Sequence, residues 1–178
     1  MMARSGARGG VFGAGLVAGL MVFGVVLGPW SGPAAASSAL DCAEREVRAV
    51  VHAAALGLAA LLEGQPDERA RMALIRNFIA PIRFYDDGSG YLYVYDMNCR
   101  NIAHAAQPEL VGVNLRDLKD AKGKYAVREA VAVAKKGGGF FDFYWARPGM
   151  GGAHLKRGYV EPVPGTDYFI GSGVYVEK

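Results

Sequence analysis

The chain has 178 residues, about the size of one domain, and its formal net charge is only +3. Without Arg4 and Arg8, which lie in an acid-free leader, 18 basic side chains stand against 17 acidic ones. This balance, with no dense basic patch, excludes a nucleic-acid partner. Nine tyrosines outnumber eight phenylalanines, and this bias suits a wet pocket or an interface, because tyrosine joins an apolar ring to a polar tip.

Residues 1–36 are typical of an export signal. Arg4 and Arg8 precede an uncharged apolar run at residues 11–27, Pro29 ends the run, and the alanines at residues 34–36 suit a cleavage site. The run is at the short end for a membrane span, so a cleaved signal peptide and a retained inner-membrane anchor both stay open. In either case we expect the rest of the chain to be periplasmic or otherwise extracytoplasmic.

Two helices are predicted after the leader. The first begins within residues 37–46 and continues to Leu62, because apolar residues recur at helical spacing through this stretch. Asp67 is the predicted N-cap of the second helix, and Pro81 ends that helix.

Strands are predicted next, interrupted by one helix. Residues 90–96 alternate so that Tyr91, Tyr93 and Tyr95 share one face, while Leu92 and Val94 share the other. The elements that follow are a strand at residues 101–105, a helix at 124–136, and strands at 140–146, 154–163 and 168–176. This order predicts an α+β domain with an antiparallel sheet of about five strands.

Three glycines, Gly137, Gly138 and Gly139, stand between that helix and the next strand. A phosphate-binding loop leads from a strand into a helix and carries a lysine followed by serine or threonine. Here the helix comes first, so we interpret the glycines as a helix end and a chain reversal.

Cys42 and Cys99 are candidates for a disulfide, since an exported chain sits where disulfides persist. A bond between them would close a long loop and stabilise the fold by about 4 kcal/mol in the chain-entropy model. Two free thiols are the alternative, because spacing alone does not set the geometry of a disulfide.

The sequence contains none of the common catalytic motifs, such as Gly-x-Ser-x-Gly, His-Glu-x-x-His or Cys-x-x-Cys. We therefore expect neither an enzyme nor a cofactor. His52, in the first helix, and His154, in a glycine-rich turn, are expected to be surface or packing residues. His104 ends a strand beside a loop, which is a better position for a ligand contact.

Four aspartates raise the question of a cation site: Asp86, Asp87, Asp117 and Asp120. Their spacing does not fit a calcium-binding loop. We expect them to be turn and cap residues, and we expect no metal site.

Lys156 and Arg83 each allow two interpretations. Lys156 lies in a predicted strand, where it is either an exposed edge residue or a cation facing a ligand. Arg83 follows Pro81 and is either a surface residue or part of a pocket rim. The tyrosines of residues 90–96 also allow two interpretations, as core residues under a helix or as residues of a polar pocket. Three hydroxyls in a dry core would each need a hydrogen-bond partner.

Five segments, in this order, resemble the single Cache domain family of bacterial chemoreceptors and sensor kinases: "IRFYDDGSGYLYVYD", "HAAQPELVGVNLRDLKDAKGKY", "KKGGGFFDFYWARPG", "LKRGYV" and "IGSGVYVEK". The resemblance runs from about Val47 to Val176, and we assign residues 47–178 to one single Cache domain. It implies a PAS-like five-stranded antiparallel sheet with a long N-terminal helix. It also implies a pocket on the sheet for small metabolites, often short carboxylates.

Matching motif positions implies seven ligand-binding residues: Arg83, Tyr91, Tyr93, His104, Tyr144, Lys156 and Tyr159. A carboxylate requires such a set, a cation together with hydroxyl and imidazole donors. Two positions depart from the family pattern. Ala105 replaces the proline that usually follows His104, and Cys99 replaces a glycine in a turn that needs a left-handed residue.

The expected function is therefore extracytoplasmic binding of a small organic acid, by a domain without an output module of its own. The alternative is a protein-interaction scaffold with a vestigial pocket, which would partner a membrane sensor or transporter. The resemblance also implies a candidate homodimer through the N-terminal helix.

Overall fold

The computed structural model describes residues 33–176, with side chains from residue 39 onward. The export signal expected at residues 1–36 lies outside the described residues, apart from a few helical backbone positions at its end. Among the described helices, we find none with the length and apolarity of a bilayer-spanning segment.

Three α-helices and seven strands make up the described chain. They are α1 (Pro33–Leu62), α2 (Glu68–Ile79), β1 (Arg83–Phe84), β2 (Gly90–Tyr91), β3 (Tyr93–Asp96), β4 (Asn101–His104), α3 (Ala126–Ala134), β5 (Gly139–Ala146), β6 (Ala153–Pro162) and β7 (Tyr168–Tyr175), with a 3₁₀ helix at Pro108–Leu110. Helix α1 begins ahead of residue 37, at Pro33, since proline is well tolerated in a first helical turn. The predicted cap of α2 is confirmed, because the Asp67 carboxylate accepts a hydrogen bond from the backbone N–H of Arg69.

The main sheet has five antiparallel strands in the order β4-β3-β7-β6-β5. The strand predicted at residues 90–96 is in fact two strands separated by Leu92. Strand β2 pairs with β1 in a small ribbon, whereas β3 enters the main sheet between β4 and β7. The expected α+β architecture, a long N-terminal helix with a five-stranded antiparallel sheet, is confirmed.

The two faces of the sheet carry separate hydrophobic cores. Helices α1 and α2 cover the face that includes Leu92 and Val94, and α3 covers the face that includes Tyr91, Tyr93 and Tyr95. The predicted division of residues 91–95 between two faces is therefore confirmed. Both sets are buried, since the sheet is covered on both sides.

The glycine run reverses the chain between α3 and β5, as interpreted. Gly137, Gly138 and Gly139 all have positive φ, at 98°, 106° and 152°. At Gly138 an added Cβ would lie 2.7 Å from the carbonyl oxygen of Val160. A side chain at this position would therefore collide with the backbone of β6.

The candidate disulfide is absent, because both cysteines are free thiols. Cys42 is exposed on α1, whereas Cys99 is buried in the core beneath α3. Their side chains thus lie on different sides of the sheet. Cys99 does occupy the left-handed turn position, with φ of 68°.

Candidate functional site

A small, mostly aromatic cavity lies between α3 and the sheet. Its lining residues are Tyr91, Tyr93, Tyr95, His104, Ala126, Val127, Ala130, Phe141, Phe143 and Trp145. The cavity leaves about 20 Å³ for the centre of a water-sized sphere, which is room for roughly one water molecule. A larger ligand therefore requires the surrounding side chains or α3 to move.

Local periodicity explains which residues face the cavity. In β5, alternation directs Phe141, Phe143 and Trp145 to the cavity side. Helix α3 contributes small residues from one face, Ala126 and Ala130, which let it lie close to the tyrosines of the sheet.

His104 is held in one neutral tautomer. The backbone N–H of Gln107 donates to Nδ1 of His104 at 2.9 Å, so the ring proton is on Nε2. Burial, reinforced by the positive charge of Arg83, lowers the pKa of His104 to about 3. Near neutral pH this ring is therefore an uncharged hydrogen-bond donor among the rings of Tyr91, Tyr93 and Trp145.

Lys156 is fully buried beside the cavity, behind Tyr91. Its Nζ lies 3.7 Å from the ring centroid of Tyr91 and 4.6 Å from that of Tyr175, and it has no hydrogen-bond partner among the described residues. Gly173 makes room for this side chain, because an added Cβ there would come 3.0 Å from Lys156 Cε. Lys156 is thus a buried residue rather than an exposed edge residue, and burial holds the pKa of its amine well below the usual value.

The tyrosine hydroxyls differ in their hydrogen bonding. The Tyr175 hydroxyl donates to the Ala146 carbonyl at 2.5 Å, so the Tyr91 hydroxyl, 3.2 Å away, donates to Tyr175. The Tyr93 hydroxyl is buried and has no partner in the described part of the chain. Burial raises the pKa of Tyr93, which keeps the hydroxyl protonated and able to donate.

These groups share a chemical property: Lys156 Nζ, the Tyr93 hydroxyl and His104 Nε2 can all donate a hydrogen bond. No described carboxylate forms an ion pair with Lys156. Buried donors without acceptors are uncommon in folded proteins. The arrangement is therefore suited to a ligand that brings acceptor oxygens and a negative charge.

Tyr159 lies on the other face of the sheet from the cavity. It follows Lys156 by three residues in β6, and strand alternation sends such a pair to opposite faces. Its ring packs on Phe140 and its hydroxyl donates to Glu161 at 3.3 Å, beneath α1. The structure thus places Tyr159 outside this cavity.

Tyr144 also lies outside the cavity. Its neighbours Phe143 and Trp145 occupy the inward positions of β5, and the Lys122 ammonium lies 5.6 Å from the Tyr144 ring centroid. The family motif thus points to a strand that lines the cavity, but Tyr144 itself is not one of the lining residues.

Arg83 is exposed and does not line the cavity. Its guanidinium donates to the carbonyls of Ala80 at 3.1 Å and Ile82 at 2.7 Å, and also to the carbonyl of Ala105. Arg83 therefore ties the end of α2 to the residue that follows His104. Its role in this geometry is to position the backbone beside the cavity.

Sequence reasoning missed several cavity residues, chiefly Tyr95, Phe141, Phe143, Trp145 and the α3 face. Alternation in β5 was the available signal for the three aromatic residues of that strand. Trp145 also donates from Nε1 to the side-chain oxygen of Gln107 at 2.6 Å. This contact joins β5 to the loop that carries the partner of His104.

No group of three His, Cys, Asp or Glu residues suited to a metal occurs in the described chain. Three of the aspartates considered above have roles within the fold. Asp120 accepts from the backbone N–H groups of a turn, Asp87 pairs with Arg147, and Asp117 pairs with Arg128.

Comparison with known proteins identifies sequence relatives. A family model described as a Cache domain, dCache_2, matches residues 62–178. The sensor histidine kinase MctS of Rhizobium johnstonii is 32% identical over 114 residues, which are 64% of this chain and 24% of the kinase. The chain thus spans about a quarter of the length of that curated relative.

Two solved structures are similar along most of the chain. The first, described as the periplasmic sensor domain of a chemotaxis protein, is 32% identical with a TM-score of 0.66, and the match covers 76% of this chain and 98% of that one. The second, described as the structural basis for carboxylic acid recognition by a Cache chemosensory domain, is 26% identical with a TM-score of 0.69, covering 79% and 98%.

Proposed function

The chain belongs to the Cache domain family, and on this basis we propose that it is an extracytoplasmic sensor domain that binds a small carboxylate between α3 and the sheet. One relative is a sensor histidine kinase, and one similar structure is the periplasmic sensor domain of a chemotaxis protein. One of them is described in terms of carboxylic acid recognition, which supports the same ligand class here.

The observation that carries the proposal is the buried amine of Lys156, which has no carboxylate partner among the described residues. A bound carboxylate would supply the missing negative charge. It would also accept hydrogen bonds from Tyr93 and from His104 Nε2, which line the cavity. The aromatic side chains of the lining would surround the short apolar part of the ligand.

We further propose that the domain is of the single Cache type. The described chain forms one five-stranded sheet with this one aromatic cavity. Placement outside the cytoplasm agrees with the periplasmic relative and with the export signal expected at residues 1–36.

A thermal-shift series on the purified chain tests the proposal, with acetate, propionate, lactate, pyruvate and malate as probes. Ligand binding to the folded state raises the melting temperature by mass action. We expect a saturable rise with at least one short carboxylate and none with a matched amide such as propionamide. Equal melting temperatures with every acid would contradict carboxylate binding.

A second candidate function is a protein-interaction scaffold with a vestigial pocket. The small free volume of the cavity, about 20 Å³, favours it, as do the exposed side chains of Leu56 and Leu61 on α1, which are 51% and 39% exposed. Such a scaffold would pair through α1 with a membrane sensor, a transporter or a second copy. Co-purification of one membrane protein, together with a flat thermal-shift series, would identify it.

A further inference from the structure

Among the described residues, no acidic side chain is paired with Lys156. Strand β2 contributes the ring of Tyr91, β7 contributes the ring of Tyr175, and β5 pairs with Lys156 through Phe143. The nearby ionisable groups are His104 from β4, which is neutral, and Arg147, whose guanidinium lies 5.5 Å from the Tyr175 ring centroid and forms an ion pair with Asp87. The part of α3 that lines the cavity consists of Ala126, Val127 and Ala130.

These surroundings favour the uncharged amine when no ligand is bound. The two tyrosine rings stabilise an ammonium ion in part, through the negative faces of their π systems. Complete burial without a counter-ion opposes the charged form more strongly. In agreement, the pKa of Lys156 is lowered by burial, and no neighbouring acid raises it.

We propose that an anionic ligand binds to this site together with one proton, and that Lys156 takes up the proton. The inference rests on the proposed carboxylate site. The carboxylate R–COO⁻, a proton from solvent and the amine of Lys156 give R–COO⁻ beside Lys156–NH₃⁺. One negative and one positive charge enter together, so the buried site keeps its net charge. Binding of the neutral acid, followed by proton transfer to Lys156, gives the same final state.

Proton uptake makes the affinity depend on pH. The bound carboxylate raises the pKa of Lys156, so uptake occurs between the pKa of the free protein and that of the complex. Within this window the dissociation constant rises up to tenfold for each unit of pH. Below the window Lys156 is already charged, and the affinity no longer depends on this group.

Isothermal titration calorimetry of the full chain tests the inference, with propionate and acetate as probes at pH 7.5 in PIPES and in Tris. The two buffers differ in ionisation enthalpy, so the difference in observed heat gives the number of protons taken up. We expect about one proton per ligand. Clear binding with no uptake overturns this inference and leaves the carboxylate site in place. Absence of binding overturns both.

Two variants assign the proton to a residue. Lys156→Met keeps an unbranched side chain between the tyrosine rings but does not titrate, so its remaining binding should occur without proton uptake. His104→Asn removes the other ionisable group beside the site and should leave the uptake near one proton. The reverse result would place the proton on His104. If Lys156→Met does not fold, the wild-type dissociation constant between pH 6 and 9 still tests the inference, because an unchanged constant contradicts it.

Discussion

Lys156 and Tyr159, three residues apart in β6, point to opposite faces of the main sheet. The Lys156 amine lies under the tyrosines of the α3 side, whereas the Tyr159 ring packs beneath α1 beside Arg48. Of these two residues, Lys156 therefore lies on the cavity side of the sheet. The functional consequence is that two residues of one strand should respond differently to substitution.

Lys156→Met should weaken carboxylate binding by about 10- to 100-fold, the usual value of a hydrogen bond to a charged group. Tyr159→Phe removes a hydroxyl on the other face and should leave the affinity within about twofold. Titration of both variants with the carboxylate found by thermal shift measures the difference. A large loss in Tyr159→Phe alone would contradict the assigned cavity.

Lys156→Met should also stabilise the ligand-free protein. Because burial lowers the folded-state pKa of Lys156, the unfolded chain binds a proton that the folded chain does not. The contribution of Lys156 to the free energy of unfolding is therefore fully present above pH ~10.5. As the pH falls below this value, the free energy of unfolding declines by about 1.4 kcal/mol per pH unit until the folded-state pKa is reached.

Urea unfolding at pH 7 and pH 10 measures this effect. We expect Lys156→Met to have a higher free energy of unfolding than the wild type. This difference should be larger at pH 7 than at pH 10. Lys136→Met, at an exposed lysine after α3, is the matched control and should change the free energy of unfolding only slightly. An equal gain at both pH values would contradict a lowered pKa of Lys156.

His104 should make the protein sensitive to acid. Its pKa falls from 6.5 to about 3 on folding, so its contribution to stability is present above pH ~6.5 and is lost as the pH falls towards 3. The slope is at most about 1.4 kcal/mol per pH unit. His104→Asn, which keeps an acceptor for the Gln107 N–H, should show a shallower loss in unfolding experiments between pH 7 and 4. His154→Asn, outside the cavity, should behave like wild type.

Gly138→Ala should destabilise the fold more than Gly137→Ala. Both positions have positive φ, so each alanine costs about 1–2 kcal/mol of backbone strain. At Gly138 the new Cβ would also lie 2.7 Å from the Val160 carbonyl oxygen, whereas nothing lies within 4 Å of a Cβ at Gly137. The collision should add about 1–3 kcal/mol. Equal melting temperatures for the two variants would contradict the close approach to β6.

Both cysteines should titrate as thiols in the unfolded protein. The native protein should react readily at Cys42 alone, because Cys99 is 2% exposed, and burial raises the pKa of the Cys99 thiol. Titration with a thiol reagent, with and without denaturant, measures the number of reactive thiols in the unfolded and in the native protein. A melting temperature that falls on addition of reductant would instead indicate a disulfide.

Much of the fold was predictable because it depends on local periodicity. Residues 90–96 alternate, Asp67 is a short polar residue before a helical pattern, and the glycines after α3 allow a chain reversal that other residues resist. The break at Leu92 was not predictable, because it depends on the different pairing partners of β2 and β3. Likewise, the absence of the disulfide depends on which side of the sheet each cysteine occupies.

The residues of the candidate site were also predictable only in part. Tyr91, Tyr93, His104 and Lys156 were expected and lie in or beside one cavity, whereas Tyr144 and Tyr159 were assigned by motif without regard to strand alternation. The sequence alone thus determined most of the elements and the residue types at the site. Tertiary packing alone decided that Lys156 is buried without an acid, because its neighbours Tyr91 and Tyr175 come from strands distant in the chain. The protonation state of the Lys156 amine depends on these surroundings, which no local sequence pattern contains.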